Sequence, residues 1–376
     1  DGVVPMAKMR QQRLRRFTSS WLAERGMGRD GKEKEKEKGL DGGAKRWNTN
    51  AITPGTVFMD QLHEALVARI AQEGKTGVWR VSSCREWGEG EHKIMAEWRR
   101  GGYGGGGEAV AVYGLDADLI VLSLMAGETS LRAGGVWLFR EAMDRGAVQY
   151  DLFGDECYGW FSVGELRQWL CQGIPEADQR GFVLHYVLMM SFLGNDFLPS
   201  SLGYKMRDEG HTVLLDILRS QFLSGMRMLE EEQSLRWEGL QTFFRALARE
   251  EAWRVEEAVV KKRRMAERAW TAEEMGRVGH EDWPLSQREE HVLENPMTGR
   301  LHSQWRKRYL VHFFPGLPDH PTSRAALCQK YLYGVEWVWA YYTGQMDDVC
   351  FEWSYPFSLP PLWEWLAEEK GLPPLT

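Results

Sequence analysis

The chain has 376 residues, 43% of them hydrophobic, enough to bury a large core and more than one ordinary domain needs. Its net charge of −7 does not mark it as a nucleic-acid binder, although a local basic patch can coexist with an acidic total. Five cysteines (Cys84, Cys157, Cys171, Cys328 and Cys350) show no C-x-x-C pairing and no zinc-ligand spacing, no apolar run is long enough to span a bilayer, and the first residues carry no signal-peptide pattern; a disulfide framework and a membrane protein are both disfavoured.

The chain opens DGVVP, without an initiator methionine or a polar tail, and is read as a fragment. Pro5 is preorganised for a first helical turn, and no breaker follows until Gly26. On that helix Lys8, Gln12, Arg15 and Arg16 fall at i, i+4, i+7 and i+8, one basic face, and Met9, Leu14, Phe17 and Trp21 are expected to anchor the others. An ordinary solvated surface is the alternative for that face. GKEKEKEKG, Gly31 to Gly39, lacks apolar residues and reads as a surface insert. Pro54-Gly55 marks a turn, after which Phe58, Leu62, Leu66 and Ile70 repeat at helical spacing.

GVWRVSS, Gly77 to Ser83, is β-branched and apolar, which predicts a short buried strand. GEGEHKIM, Gly88 to Met95, reads as a loop entering a helix, with Glu89 and Glu91 two apart beside a histidine and a lysine. GGYGGGGE, Gly101 to Glu108, lacks the Lys-Ser/Thr of a phosphate-cradling loop and reads as a linker. In AVAVYGLDADLIVLSL, Ala109 to Leu124, an apolar strand runs into Asp116 and Asp118, which share a face if the chain there is extended. The C-terminal end of such a strand is where open α/β sheets bind ligands. VLHYVLMMSFLGNDFLP predicts an apolar helix that stops at Gly194-Asn195, with Asp196 at its end, and capping alone would explain that turn.

Beyond Leu223 the charges interleave, and EEEQSLRWEGLQTFFRALAREEAWRVEEAVVKKRRMAERAW predicts a largely solvated helical region. The final third is aromatic: KYLYGVEWVWAYYTGQ places Val335, Val338, Trp339 and Tyr342 at i, i+3, i+4 and i+7, a core stripe, and FEWSYPFSLPPLWEWL follows.

Collected, Asp1, Glu89, Glu91, Asp116, Asp118 and Asp196 stand at loop or strand ends. Like charges so close repel unless a cation offsets them. Hard oxygen donors without a His or Cys cluster point to magnesium or manganese and away from zinc. Carboxylates sharing two such ions form the clamp of two-metal phosphodiester cleavage; a glycosidase would need only two carboxylates.

DGVVPMAKMRQQRLRRF, NAITPGTVFM, GEGEHKIM, YGLDADLIVL and FLGNDFLP, in that order, closely resemble conserved segments of XRN-type 5′→3′ exoribonucleases, and YLYGVEWVWAYYTG followed by FEWSYPF resembles their later aromatic part. The resemblance covers most of the chain and thins between about Gly225 and Gln304. It implies an α/β fold: a nuclease core of the PIN and flap-endonuclease type, with a central, mainly parallel sheet flanked by helices, then a helical, aromatic-rich region. The implied activity digests single-stranded RNA bearing a 5′-monophosphate to mononucleotides with two Mg2+ or Mn2+ ions. By motif match the six acids would be catalytic metal ligands, and Lys8, Gln12, Arg15 and Arg16 would grip the terminal phosphate. Phe351 and Trp353 stand where the family shows two tryptophans, one of which stacks on the terminal base, and either ring could serve.

The departures are Met6 where a basic residue is usual, Arg10 where asparagine is usual, and the lack of an earlier segment carrying one more metal-binding aspartate and a base-sandwiching histidine. No zinc-knuckle insertion is present, which favours a cytoplasmic over a nuclear member. The expected organisation is a nuclease core over 1–222, a charged helical region over 223–320 and an aromatic continuation over 321–376. Two alternatives are a structure-specific flap endonuclease and a catalytically inactive RNA-binding or scaffold relative.

Overall fold

Prolines, glycines and capping side chains set the element boundaries. The computed structural model describes residues 3–24, 51–74, 79–101, 109–130, 135–144, 147–151, 153–230, 234–267, 289–345 and 349–373. Asp1, the insert at 31–39 and the glycine stretch at 102–108 lie outside them.

In chain order come α1 (Met6–Glu24), α2 (Val57–Gln72), α3 (Gly90–Arg99), β1 (Val110–Tyr113), α4 (Asp118–Ser130), β2 (Val136–Glu141), β3 (Met143–Asp144), β4 (Ala147–Val148) and β5 (Tyr158–Ser162). They are followed by α5 (Val163–Leu170), α6 (Gln179–Met190), α7 (Gly210–Leu223), α8 (Trp237–Glu267), α9 (Trp305–Phe313), α10 (Pro321–Thr343) and α11 (Trp363–Glu368). α2 starts where Thr56 Oγ1 accepts the Met59 N–H. α5 starts where Ser162 Oγ accepts the Glu165 N–H, and α10 opens on a proline.

The chain divides into two compact units. One comprises Asp1–Gly88, Glu251–Ala326 and Cys350–Leu359; its core gathers Leu293, Trp305, Tyr309, Leu310 and Phe314. Phe314 meets Phe357 edge-on at 5.0 Å, and Arg263 pairs with Glu294.

The other unit comprises Glu89–Glu250, Leu327–Val349 and Pro360–Thr376, and it is mixed α/β. Its sheet has the order β1-β2-β5, with β2 parallel to β1 and antiparallel to β5. Alternation buries Val112, Val136 and Leu138 on one face, and α4 and α5 pack against β2. Tyr113, Trp137, Tyr158 and Trp160 stand exposed on the other. α3 and α6 pack on α4, and α7 packs on α6. Beneath the end of α6, Phe192, Phe244 and Trp363 form an aromatic cluster, with Phe244 and Trp363 stacked at 5.6 Å. The expected stripe Val335, Val338, Trp339 and Tyr342 is buried throughout. Among the described residues no helix is long and apolar enough to cross a membrane.

Four local readings change. In 79–83 Trp79 makes a single bridge and no strand follows, because Ser82 Oγ and the Ser83 N–H both bond Glu86 and curl the chain. The segment carrying Asp116 and Asp118 is a turn, since Asp116 Oδ1 accepts the Asp118 N–H at 3.3 Å and Asp118 already begins α4. On α1, Leu14 and Phe17 are 66% and 68% exposed and do not anchor the helix. On α8, Leu240, Phe243, Phe244, Leu247, Val255 and Val259 are buried: apart from the buried Glu251, the interleaved charges lie away from the core face of an amphipathic helix.

Candidate functional site

Each candidate acid of the α/β unit sits where a helix starts or a turn ends. Gly88, with φ of 94°, turns the chain so that Glu89 becomes the cap residue of α3 and Glu91 falls in its first turn. Asp118 opens α4, and Asp116 stands exposed one turn ahead of it. Carboxylates at helix N-termini face the positive end of the backbone dipole, which eases their crowding. Asp196 follows α6 through Gly194, whose φ of 93° suits glycine and where a Cβ would meet the Ser200 backbone nitrogen at 2.7 Å. Asn195 Oδ1 accepts the N–H groups of Phe197 and Leu198 at 2.9 and 2.8 Å, so Asn195 closes the turn that carries Asp196.

Four of these carboxylates act electrostatically on two neighbouring tyrosines near the end of α10. The Tyr341 hydroxyl donates to Glu89 Oε2 at 3.3 Å. Asp118 lies near enough to Tyr342 to raise its phenol. Burial raises both phenols well above their ordinary pKa, and the acids raise them further: Glu89 and Glu91 at Tyr341, Asp118, Asp196 and Glu89 at Tyr342. His92, buried on α3, lies on Tyr341 with ring centroids 3.8 Å apart. Arg99, at the other end of α3, donates to the Tyr342 carbonyl at 3.3 Å beside Gly344. The centre is thus built from α3, the start of α4, the turn after α6 and the end of α10.

The donor types are those a hard divalent cation prefers, all of them oxygen. The spacing is more open than a closed metal cage, for among the described residues no three His, Cys, Asp or Glu side chains stand close enough together to hold an ion. Asp1 lies outside the described residues.

The basic and aromatic candidates all belong to the other unit. Lys8 is buried, Gln12 and Arg16 are half-buried and Arg15 is exposed. The start of α1 is tied to the segment that carries Phe351 and Trp353: the Met6 N–H donates to the Phe351 carbonyl at 2.7 Å, and Arg10 Nη1 donates to Ser354 Oγ at 2.6 Å. Trp87, 68% exposed, meets Phe351 edge-on at 5.2 Å. The basic helix and the two candidate stacking rings therefore form one neighbourhood from distant parts of the sequence.

The sequence reading missed Tyr341, Tyr342 and His92 at the acid centre and Trp87 beside Phe351. Tyr342 belongs to the core stripe itself and Tyr341 is its neighbour in the chain, and nothing in that period distinguishes a phenol that faces acids. Trp87 offered a signal, a large aromatic directly before GEGEHKIM.

Residues 1–133 match the family described as XRN 5'-3' exonuclease N-terminus. Relatives named 5'-3' exoribonuclease 2 are similar over longer stretches. That of Eremothecium gossypii is 30% identical over 296 residues, 67% of this chain and 30% of the relative. That of Debaryomyces hansenii is 33% identical over 251 residues, 57% and 25%. That of Emericella nidulans is 30% identical over 319 residues, 71% and 30%. The chain thus spans less than a third of the length of these relatives. The match to the XRN 5′-3′ exonuclease N-terminus family covers the first acid blocks, and the similarity to the relatives extends it through the later ones.

Proposed function

We propose that this chain is part of a 5′→3′ exoribonuclease that removes mononucleotides from single-stranded RNA with a 5′-monophosphate. The relatives' shared name, 5'-3' exoribonuclease 2, supports the activity. The observation that carries it here is that Glu89, Glu91, Asp118 and Asp196 all act on the adjacent Tyr341 and Tyr342, Glu89 through a hydrogen bond. These acids, with Asp116 and Asp1, would hold two Mg2+ or Mn2+ ions, which when bound supply a readied water and a charge that steadies the leaving oxygen. The unit that contains Glu89, Glu91, Asp116, Asp118 and Asp196 would be a PIN- and flap-endonuclease-like core.

Grip and chemistry reside in different residues. Arg15 and Arg16 present planar guanidinium forks suited to phosphate oxygens, Lys8 adds a point charge, and Gln12 an amide donor. Phe351 or Trp353 offers a π-face to the first base whatever its identity, which suits an enzyme that consumes RNA without sequence preference. A 5′ cap or triphosphate adds bulk and charge at the gripped end, so the chemistry of that end gates the reaction.

The experiment compares RNA with 5′-phosphate and 5′-hydroxyl ends in Mg2+, for the wild type and an Arg15→Ala/Arg16→Ala variant. Each charge-assisted contact contributes roughly 1.5–3 kcal/mol, so losing two should reduce the preference for 5′-phosphate by at least about a hundredfold. An unchanged ratio would reduce the basic face of α1 to a solvated surface. One observation favours a second reading, an RNA-binding relative that does not cut: the open spacing of the acids among the described residues. RNA bound with 5′-phosphate preference but left intact in Mg2+ would decide for it.

A further inference from the structure

We infer that the open face of the β1-β2-β5 sheet is a docking surface for a proline-rich, arginine-bearing segment of a partner protein. Strand register builds the face. Tyr113 on β1, Phe139 on β2 and Trp160 on β5 stand directly opposite one another, so their rings form one row across three strands. Phe139 lies 5.8 Å from Tyr113 and 4.7 Å from Trp160. Tyr158 stacks on Phe139 at 5.2 Å with the ring planes 15° apart, and Trp137 extends the patch along β2. Phe139 is half-buried and the other four rings are exposed, Trp160 by 61%. Single exposed rings are ordinary on a protein surface, whereas a contiguous aromatic patch marks an interaction site.

The charges on this face decide among occupants. The Tyr113 hydroxyl donates to Glu141 Oε1, and the Tyr158 hydroxyl donates to Glu156 Oε2 at 2.9 Å. Asp151 and Asp155, exposed in the turn that leads to Glu156, add negative charge beside it. Arg140, the neighbour of Glu141 on β2, turns its Nη2 to the Leu115 carbonyl at 2.7 Å. An acidic, aromatic face repels the phosphates of RNA and of anionic lipid. It repels a second copy of itself as well, because a two-fold contact sets the same acids against each other. A cationic partner is the complement.

The partner's backbone form follows from the shape of the face. A β-strand would pair at the edge of a sheet and not on its face, and an amphipathic helix needs a groove for its apolar stripe. Rows of rings suit a polyproline II segment. Such a segment has no internal hydrogen bonds, so its carbonyls are free to accept from indole N–H groups such as those of Trp137 and Trp160. Proline rings pack between the aromatic ridges, and an arginine lies on a ring while its guanidinium reaches Glu156.

The test measures binding of labelled peptides to the full chain by fluorescence anisotropy, with thermal midpoints recorded for every variant. A proline-rich peptide bearing arginine is compared with the same peptide carrying glutamate for arginine, and with one carrying alanine for proline. The arginine peptide should bind wild type about tenfold tighter than either control. Trp160→Thr keeps a strand-forming residue at an exposed position and should weaken that binding about tenfold or more. Glu156→Gln should weaken it severalfold and reduce its salt dependence. Trp253→Ala removes an indole that is 58% exposed on α8 and should leave binding unchanged. Should Trp160→Thr lower the thermal midpoint, the peptide comparison in wild type and Glu156→Gln still decide. Equal binding of the arginine and glutamate peptides, or binding of neither, overturns the inference. A loss of RNA affinity in Trp160→Thr overturns it in favour of a nucleic-acid platform. A wild-type chain that sediments as a dimer beside a monomeric Trp160→Thr chain overturns it in favour of a second copy.

Discussion

Replacing His185 with glutamine should remove a large pH-dependent part of the stability of the α/β unit. His185 is 3% exposed on α6. Its Nδ1 lies 2.7 Å from the Gly181 carbonyl and donates to it, which leaves Nε2 as an acceptor for the N–H groups of Met228 and Leu229 at 2.9 and 3.2 Å. A second ring proton would face two N–H donors in a buried site. Burial foremost, with the nearby Arg227 charge, depresses the histidine from 6.5 to about 4. Above pH 6.5 the ring is neutral in folded and unfolded chains alike. As pH falls from 6.5 towards 4 only the unfolded chain takes the proton, so stability declines over that window, by roughly 3 kcal/mol in all and about 2 kcal/mol by pH 5. The glutamine variant lacks this titration, while other groups cancel in the comparison. Urea unfolding of both proteins at pH 7.5 and pH 5 should show the stability advantage of wild type shrinking by about 2 kcal/mol at the lower pH. An advantage that does not change with pH would refute the assignment of a neutral, backbone-accepting imidazole.

Glu336 on α10 has an enclosed Oε2 without a hydrogen-bond partner, and burial raises its carboxyl to about 7. It therefore favours the folded state less as pH climbs from its ordinary 4.5 through 7. Glu336→Gln should raise the thermal midpoint at pH 8 but not at pH 4.5, and an equal change at both would contradict the account. Gly194→Ala would force a left-handed backbone and bring a Cβ against the Ser200 backbone; unfolding measurements should show a loss of about 1–3 kcal/mol, whereas a loss within error would remove the structural reason for glycine there.

Helix starts and acid turns were legible in the sequence because they depend on local chemistry. Pro5 before α1, Gly88 before Glu89 and the Gly194-Asn195 stop before Asp196 each act within a few residues of the feature they create. The stripe on α10 was legible because it spans two turns at the helical period. What escaped depends on contacts that are distant in sequence. Tyr341 touches Glu89 across 252 positions, and Arg10 reaches Ser354 across 344, separations at which no period or cap carries information. The reading of α8 went astray for a different reason. Charged residues run through its whole length, yet the buried six fall on one side, and position along the helix, more than composition, decides burial. Residues 79–83 form no strand because two serines and Glu86 offer the backbone local bonds that compete with a ladder.

The central claim is that the acids at Tyr341 and Tyr342 perform chemistry that the basic face of α1 does not. The most direct measurement is the release of mononucleotides from 5′-phosphorylated RNA in Mg2+, alongside the affinity for the same RNA, in wild type and in Asp116→Asn/Asp118→Asn. The account predicts that the double substitution abolishes release and leaves affinity and the preference for a 5′-phosphate near wild type. Release at a near-normal rate from the double variant would contradict it.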